Sequence, residues 1–175
     1  MAQVLILYST TDGHTIEICN RLQAVISGLG DVVELVDLKD APDLGDYTFD
    51  KIVIGASIRY GKHQKTVYEF IRANQATLEQ HPNALFSVNV VARKPEKDTP
   101  ETNPYLQKFL KQIDWVPEHL GVFAGKIDYP ALGTFDRNMI RFILWMGRGP
   151  TDPTGTYEFT DWLKVEEFGR RIASL

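Results

Sequence analysis

Apolar residues in this chain come in short unbroken runs that alternate with stretches at helical spacing. Gln3 to Tyr8 shows no polar alternation, the pattern of a strand covered on both faces. Ile16, Cys19, Leu22, Val25, Ile26 and Leu29 then follow a helical period, and Gly28 and Gly30 close that helix. Val32–Leu38, Lys51–Ala56 and Ala84–Val91 read as three more strands, and His119–Ile127 as a fifth. Between them, Val67, Phe70, Ile71 and Leu78 predict a second helix that His81-Pro82 closes, and a third runs from Tyr105 to about Ile113. Asp161 is a suitable cap for a last helix ending near Leu175.

Strands buried on both faces and separated by helices require a parallel sheet with helices on each side. The reading is one α/β domain over residues 1–175. The rhythm fails between residues 128 and 156, a stretch too long for an ordinary connection and therefore an insertion. Within it, Phe135 to Met146 is apolar on most sides and studded with arginine. Such a segment can be core, a lid over an apolar substrate, or a helix lying on a membrane surface. An acidic stretch, Asp40, Asp43, Asp46 and Asp50, is broken into a loop by Pro42 and Gly45.

Composition narrows the classes. A chain of 175 residues that is 43% hydrophobic and 24% charged is an ordinary globular protein. A net charge of −4 argues against a nucleic-acid partner. A single cysteine excludes an internal disulfide framework and fits a reducing, cytoplasmic setting. The opening MAQVLILYS lacks the basic region and long apolar run of a secretory leader, so none is expected. No window is apolar enough to span a bilayer, so membrane contact would be peripheral. Oligomeric state is not set by these features, and a homo-oligomer is compatible with them.

In a doubly wound sheet, ligands bind beyond the C-terminal strand ends where strand order reverses. The first such loop carries the sharpest signal. Ser9, Thr10, Thr11, Asp12, Gly13, His14 and Thr15 place hydroxyls and a glycine between a buried strand and a helix N-terminus. Free helix amides and the helix dipole favour an anion there. With no Lys or Arg in the loop, a phosphate monoester suits it better than a triphosphate. The competing reading is a solvated turn capped by Thr11 or Asp12.

Other motifs fall away. There is no GxGxxG, and Gly55 to His63 has the wrong spacing for a triphosphate loop. The four histidines show no metal-ligand spacing, so no metal is expected. Cys19 lies on the apolar helix face and reads as core. No GxSxG elbow is present. No side chain stands out as a catalytic base, and His63 reads as a surface residue.

LILYSTTDGHTIEI, VIGASIRYG and SVNVVARKPEK together resemble the flavodoxin-like family. Within it they are similar to the quinone-dependent branch that oxidises protoporphyrinogen IX for bacterial haem synthesis. The resemblance implies a five-stranded parallel sheet in the order 2-1-3-4-5. It also implies FMN held by three loops: Ser9 to Thr15, then Ser57, Ile58, Arg59, Tyr60 and Gly61, then Asn89, Val90, Val91 and Ala92. The third loop has no aromatic, so Tyr60 either stacks on the flavin or merely packs. The substrate would be protoporphyrinogen IX and the electron acceptor a membrane quinone, met at the inner face of the cell membrane.

Basic residues crowd these loops. Arg59, Lys62 and Lys65 lie in the second without an acid, Arg93, Lys94 and Lys97 in the third against Glu96 and Asp98, and Arg137, Arg141 and Arg148 in the insertion against Asp136. Cations favour a reduced, anionic flavin, and arginine forks suit carboxylates. Arg59, Arg93, Lys94, Arg137 and Arg141 are therefore the expected contacts for substrate propionates. A one-electron carrier for a partner protein and an NAD(P)H-dependent quinone reductase are the alternatives, separable by anaerobic redox titration and by NAD(P)H bleaching.

Overall fold

A computed structural model describes residues 1–41 and 43–175, so the turn assigned to Pro42 lies outside the described residues. The elements are β1 (Gln3–Ser9), α1 (His14–Gly28), β2 (Val32–Asp37), β3 (Lys51–Arg59), β4 (Lys62–His63), α2 (Lys65–Glu79) and β5 (Asn83–Val88). They continue with α3 (Pro104–Leu110), β6 (His119–Phe123), β7 (Lys126–Asp128), α4 (Thr134–Met146), β8 (Thr156–Glu158) and α5 (Trp162–Ala173). The main sheet runs β2-β1-β3-β5-β6, all parallel. This is the expected order of five principal strands, with the short β4 added as an antiparallel hairpin arm on β3.

The uniform apolar runs are explained by two cores. Val4 and Ile6 of β1 turn to one face, where Ile18, Cys19, Leu22 and Ile26 of α1 meet Val165, Phe168 and Ile172 of α5. Leu5 and Leu7 turn to the other, against Val67, Ile71 and Leu78 of α2 and Leu106 and Phe109 of α3. Alternate side chains enter opposite cores, so every position must be apolar. Gly55 is forced by this packing, because a Cβ there would lie 2.1 Å from the Phe86 ring. Cys19 is buried, and burial pushes its thiol pKa up, in keeping with a core role.

Two boundaries differ from expectation for local reasons. The fifth strand does not run to Ile127. The chain leaves the main sheet after Phe123, and Lys126 to Asp128 pair instead with Thr156 to Glu158 as a separate antiparallel ribbon. That ribbon and α4 form the insertion. In the other direction, β3 outruns the predicted Ala56 and folds back through Tyr60-Gly61 into β4. Both turn residues have positive φ, 52° at Tyr60 and 76° at Gly61, as a tight two-residue hairpin requires. The third helix stops at Leu110, short of the expected Ile113.

Candidate functional site

A cavity of about 610 Å³ opens at the C-terminal ends of β1, β3 and β5. All three predicted loops line it. Thr10, Thr11, Asp12, His14 and Thr15 come from the first, Ser57 to Gly61 from the second, and Asn89, Val90, Val91, Arg93 and Lys94 from the third. Ser9, Gly13 and Ala92 stand behind this lining, with Ser9 and Ala92 buried. Sheet topology causes the convergence, since β1 is the strand where the winding reverses.

The first loop closes on itself before the helix starts. Thr10 Oγ1 accepts from the Gly13 amide at 2.9 Å, and Gly13 takes φ 87°, a left-handed conformation that glycine adopts freely. Gly13 is the residue before the helix, and no side chain caps it, so neither Thr11 nor Asp12 plays that part. In the first turn of α1 the Ile16 amide turns back to the Gly13 carbonyl at 3.2 Å, which leaves the amides of His14 and Thr15 without an acceptor in the helix. Beside them, the buried hydroxyls of Ser9, Thr15 and Ser57 have no hydrogen-bond partner. Buried hydroxyls are normally satisfied, so three orphans in two adjoining loops mark a place for a ligand with many acceptor oxygens. Gln64 Nε2 braces the loop by donating to the Thr10 carbonyl at 3.1 Å.

The second loop is pinned by charge. Arg59 Nη2 pairs with Asp12 of the first loop, and Nη1 lies 3.3 Å from Asp136 of α4. The Tyr60 hydroxyl donates to Asp136 as well. Burial works to lower the Arg59 pKa, but the two carboxylates outweigh it and the net direction is up. The hydrogen bond to Asp136 likewise raises the Tyr60 hydroxyl. The second loop carries no acid of its own, but the expected basic rim is corrected. Its acids arrive from elements distant in sequence, and the rim around Arg59 is not simply basic.

The remaining arginines are placed differently from one another. Arg93 lines the cavity but donates to the Val90 carbonyl at 3.2 Å and to Gly147 at 3.0 Å, fastening the end of α4 to the third loop. Burial lowers its pKa. Arg137 donates to the carbonyls of Tyr129 and Leu132, and Arg141 to that of Thr151. Neither lines the cavity. Lys94 does.

His63 is not a surface residue. It is 6% exposed, its Nε2 lies 3.0 Å from Ser87 Oγ, and its ring meets Phe109. Burial pushes its pKa down to about 4. Ser87 in turn accepts from Asn89 Nδ2, and Asn89 and Asn103 exchange amide hydrogen bonds beneath the third loop. His14 engages Glu17 through Nδ1 at 2.7 Å and Thr160 through Nε2 at 2.6 Å. His14, Glu17 and Glu158 approach within 4.8 Å, a grouping invisible in their sequence spacing. Both His14 nitrogens are already occupied by these partners.

Sequence reasoning missed several wall residues. Tyr105, in the first turn of α3, adds an aromatic to the cavity lining. Met139, Ile140, Ile143 and Leu144 of α4 form an apolar wall, while Phe135, Phe142, Trp145 and Met146 of the same helix are exposed. The segment is thus not core, apart from Leu144. Only its periodicity could have signalled this, and arginines interrupt it.

A parallel sheet reversing at β1, an orphaned hydroxyl cradle and an apolar cavity above it define a mononucleotide-binding α/β protein of the doubly wound kind. The family profile described as "Flavodoxin domain" matches residues 5–154, and the chain belongs to that family. The protein named protoporphyrinogen IX dehydrogenase [quinone] in Escherichia coli strain K12 is 41% identical over 99% of this chain and 96% of its own length. A protein of the same name in Leishmania major is 40% identical over 98% of this chain and 74% of its own. Oxidised flavodoxin 1 from Bacillus cereus superposes with a TM-score of 0.56 at 17% identity, covering 98% of this chain and 97% of that one. The family's cofactor is FMN, and the residues here fit it: a neutral donor cradle with three orphaned hydroxyls suits its phosphate monoester.

Proposed function

We propose that this protein is an FMN-dependent dehydrogenase. It takes electron pairs from protoporphyrinogen IX and passes them to a quinone while resting on a membrane surface. The observation that carries the reading is the cavity's two-part wall, a hydroxyl and amide cradle at one end and the apolar face of α4 at the other. An electron carrier has no need of an apolar wall beside its cofactor cradle. The names of the relatives at about 40% identity support the same assignment.

Ser9, Thr15 and Ser57, with the first-turn amides of α1, hold the phosphate end of the cofactor and its polar tail. Tyr60, Tyr105, Val90 and Val91 wall the space for its ring. FMN supplies the acceptor for electron pairs, which no side chain of this chain can provide. Met139, Ile140, Ile143 and Leu144 exclude water from the apolar substrate. Arg59 and Lys94 orient its carboxylates. Neither histidine is placed to take a proton from the substrate, since His63 is buried on Ser87 and both His14 nitrogens are engaged.

The outer face of α4 supports the membrane contact. Phe135 is 71% exposed, Trp145 69% and Met146 60%. Such a row beside the mouth of an apolar cavity fits an interfacial helix. No described helix is long and apolar enough to cross a bilayer.

The test is anaerobic mixing of FMN-loaded protein with protoporphyrinogen IX and a quinone, followed by porphyrin fluorescence. A quinone-dependent rise above the protein-free control is expected, and its absence overturns the assignment. Co-sedimentation with anionic lipid vesicles, weakened in Trp145→Ser, is the expected result for the membrane contact. Equal sedimentation of both proteins, or of neither, removes it.

A further inference from the structure

Arg59 sits in an uneven charge arrangement. One guanidinium faces two carboxylates, so the triad carries an excess negative charge. One of the two, Asp136, engages two donors of the second loop: Arg59 Nη1 approaches its Oδ2 at 3.3 Å, and the Tyr60 hydroxyl donates to its Oδ1.

The placement of the three is asymmetric. Arg59 and Tyr60 line the cavity, whereas Asp136 is not part of the lining. Asp12, a lining residue, holds Arg59 Nη2 from the cavity side, whereas Nη1 and the Tyr60 hydroxyl are directed outward, to the insertion. The Arg59 side chain is 17% exposed and that of Asp136 is 40% exposed, so the cation is fixed in the wall and the anion sits on the wetter side. Asp136 also lies in the first turn of α4, whose N-terminus has no side-chain cap. The helix dipole and solvent both accommodate the carboxylate when Arg59 is elsewhere.

We propose that Asp136 is a resident stand-in for a ligand carboxylate: it holds Arg59 and Tyr60 until a carboxylate entering the cavity replaces it. One carboxylate exchanges for another at Nη1 while Asp12 keeps Nη2, so the partly buried cation stays fully paired throughout the exchange. The proposal rests on the dicarboxylic substrate assigned above and adds a selectivity rule. A ligand of the same shape without free carboxylates leaves Asp136 in place and finds no donors at that wall, so it is discriminated against by what it fails to displace. Asp136 is therefore a specificity-determining residue that acts through Arg59 and Tyr60.

The experiment measures binding of a stable dicarboxylic porphyrin and its dimethyl ester to the FMN-loaded protein by porphyrin fluorescence anisotropy. FMN occupancy is checked for every variant. Asp136→Asn is expected to tighten the diacid about two- to five-fold, the scale of one partly exposed ion pair, and to leave the ester unchanged. In an Arg59→Gln background the effect of the same substitution should shrink to the part that passes through Tyr60, since the competition for Arg59 has been removed. Where Arg59→Gln does not retain FMN, Tyr60→Phe serves instead, and the effect of Asp136→Asn should shrink. Equal tightening of diacid and ester means a merely looser cavity and overturns the proposal. So does an effect that persists in full without Arg59, which is simple charge repulsion, or no effect at all. Turnover separates this from the parent reading. A protein that shows the diacid selectivity but no porphyrinogen oxidation loses the dehydrogenase assignment and keeps the exchange, while turnover without that selectivity does the reverse.

Discussion

Protonating His63 should unfold this protein from beneath the second loop. The ring is 6% exposed, packed on Phe109 and bound to Ser87, and its pKa is depressed to about 4. In the unfolded chain a histidine titrates near 6.5. Between these values the unfolded chain binds a proton that the folded protein refuses, so stability rises with pH across the interval. The contribution is complete above about pH 7 and is lost as pH falls toward 4. At pH 5 the loss is about 2 kcal/mol, approaching about 3 kcal/mol at the acid limit. The assay is urea unfolding at pH 8, 7, 6 and 5, comparing wild type with His63→Gln. Glutamine keeps a donor for Ser87 and cannot titrate in this range. Its absolute stability falls because the contact with Phe109 is lost, but its pH slope should be shallower than that of wild type by the stated amount. Other titrating groups cancel in the difference. Superimposable slopes would refute the argument.

Ser9→Ala and Thr15→Val each remove an orphaned buried hydroxyl. The ligand-free protein should hold its stability or gain up to about 1 kcal/mol, while FMN affinity, followed by flavin fluorescence, falls about five- to ten-fold per substitution. Unchanged affinity would mean that the hydroxyls do not face the cofactor. Gly55→Ala places a methyl group 2.1 Å from the Phe86 ring and should cost about 1–3 kcal/mol in chemical denaturation. Lys51→Met removes the ammonium that joins Asp31 to the Ile172 and Ala173 carbonyls at the end of α5. A loss of about 3 kcal/mol, with faster amide exchange at the end of α5, is expected from the stranded carboxylate and carbonyls.

The sheet and its order were legible because they rest on local pattern. Val4–Leu7 of β1 and Ala84–Phe86 of β5 are unbroken apolar runs between two cores, and α1 repeats at helical spacing beneath a glycine-bearing loop. The same locality exposed the first loop as an anion cradle. What escaped depends on long-range pairing. His63 resembles a surface histidine among Lys62, Gln64 and Lys65, and only the β3–β4 hairpin carries it under Ser87. The acids on Arg59 lie 47 and 77 residues away along the chain, and Tyr105 enters the cavity because α3 begins there. No periodicity encodes such meetings.

The arginines of the insertion carry the wider lesson about reading charge. Their density suggested a cationic rim awaiting an anion. In the folded protein Arg137 and Arg141 of the insertion, and Arg93 of the third loop, donate to main-chain carbonyls, those of Tyr129, Leu132, Thr151, Val90 and Gly147. The insertion needs this because only its short β7–β8 ribbon offers a ladder, three residue pairs long. Most of its backbone lies outside any sheet, and carbonyls left partly buried there need donors. A guanidinium fork reaches two carbonyls at once and keeps its stem among apolar neighbours. Arginine thus does for α4 what hydrogen-bonded strands do for the rest of the fold. It fixes the helix over the cavity through its ends, at Tyr129 to Leu132 and at Gly147 to Thr151, leaving its middle free to present Ile140, Ile143 and Leu144 inward. Arg59, whose partners are side-chain carboxylates rather than backbone, is the exception, and for that reason it is the arginine whose partner a ligand can replace.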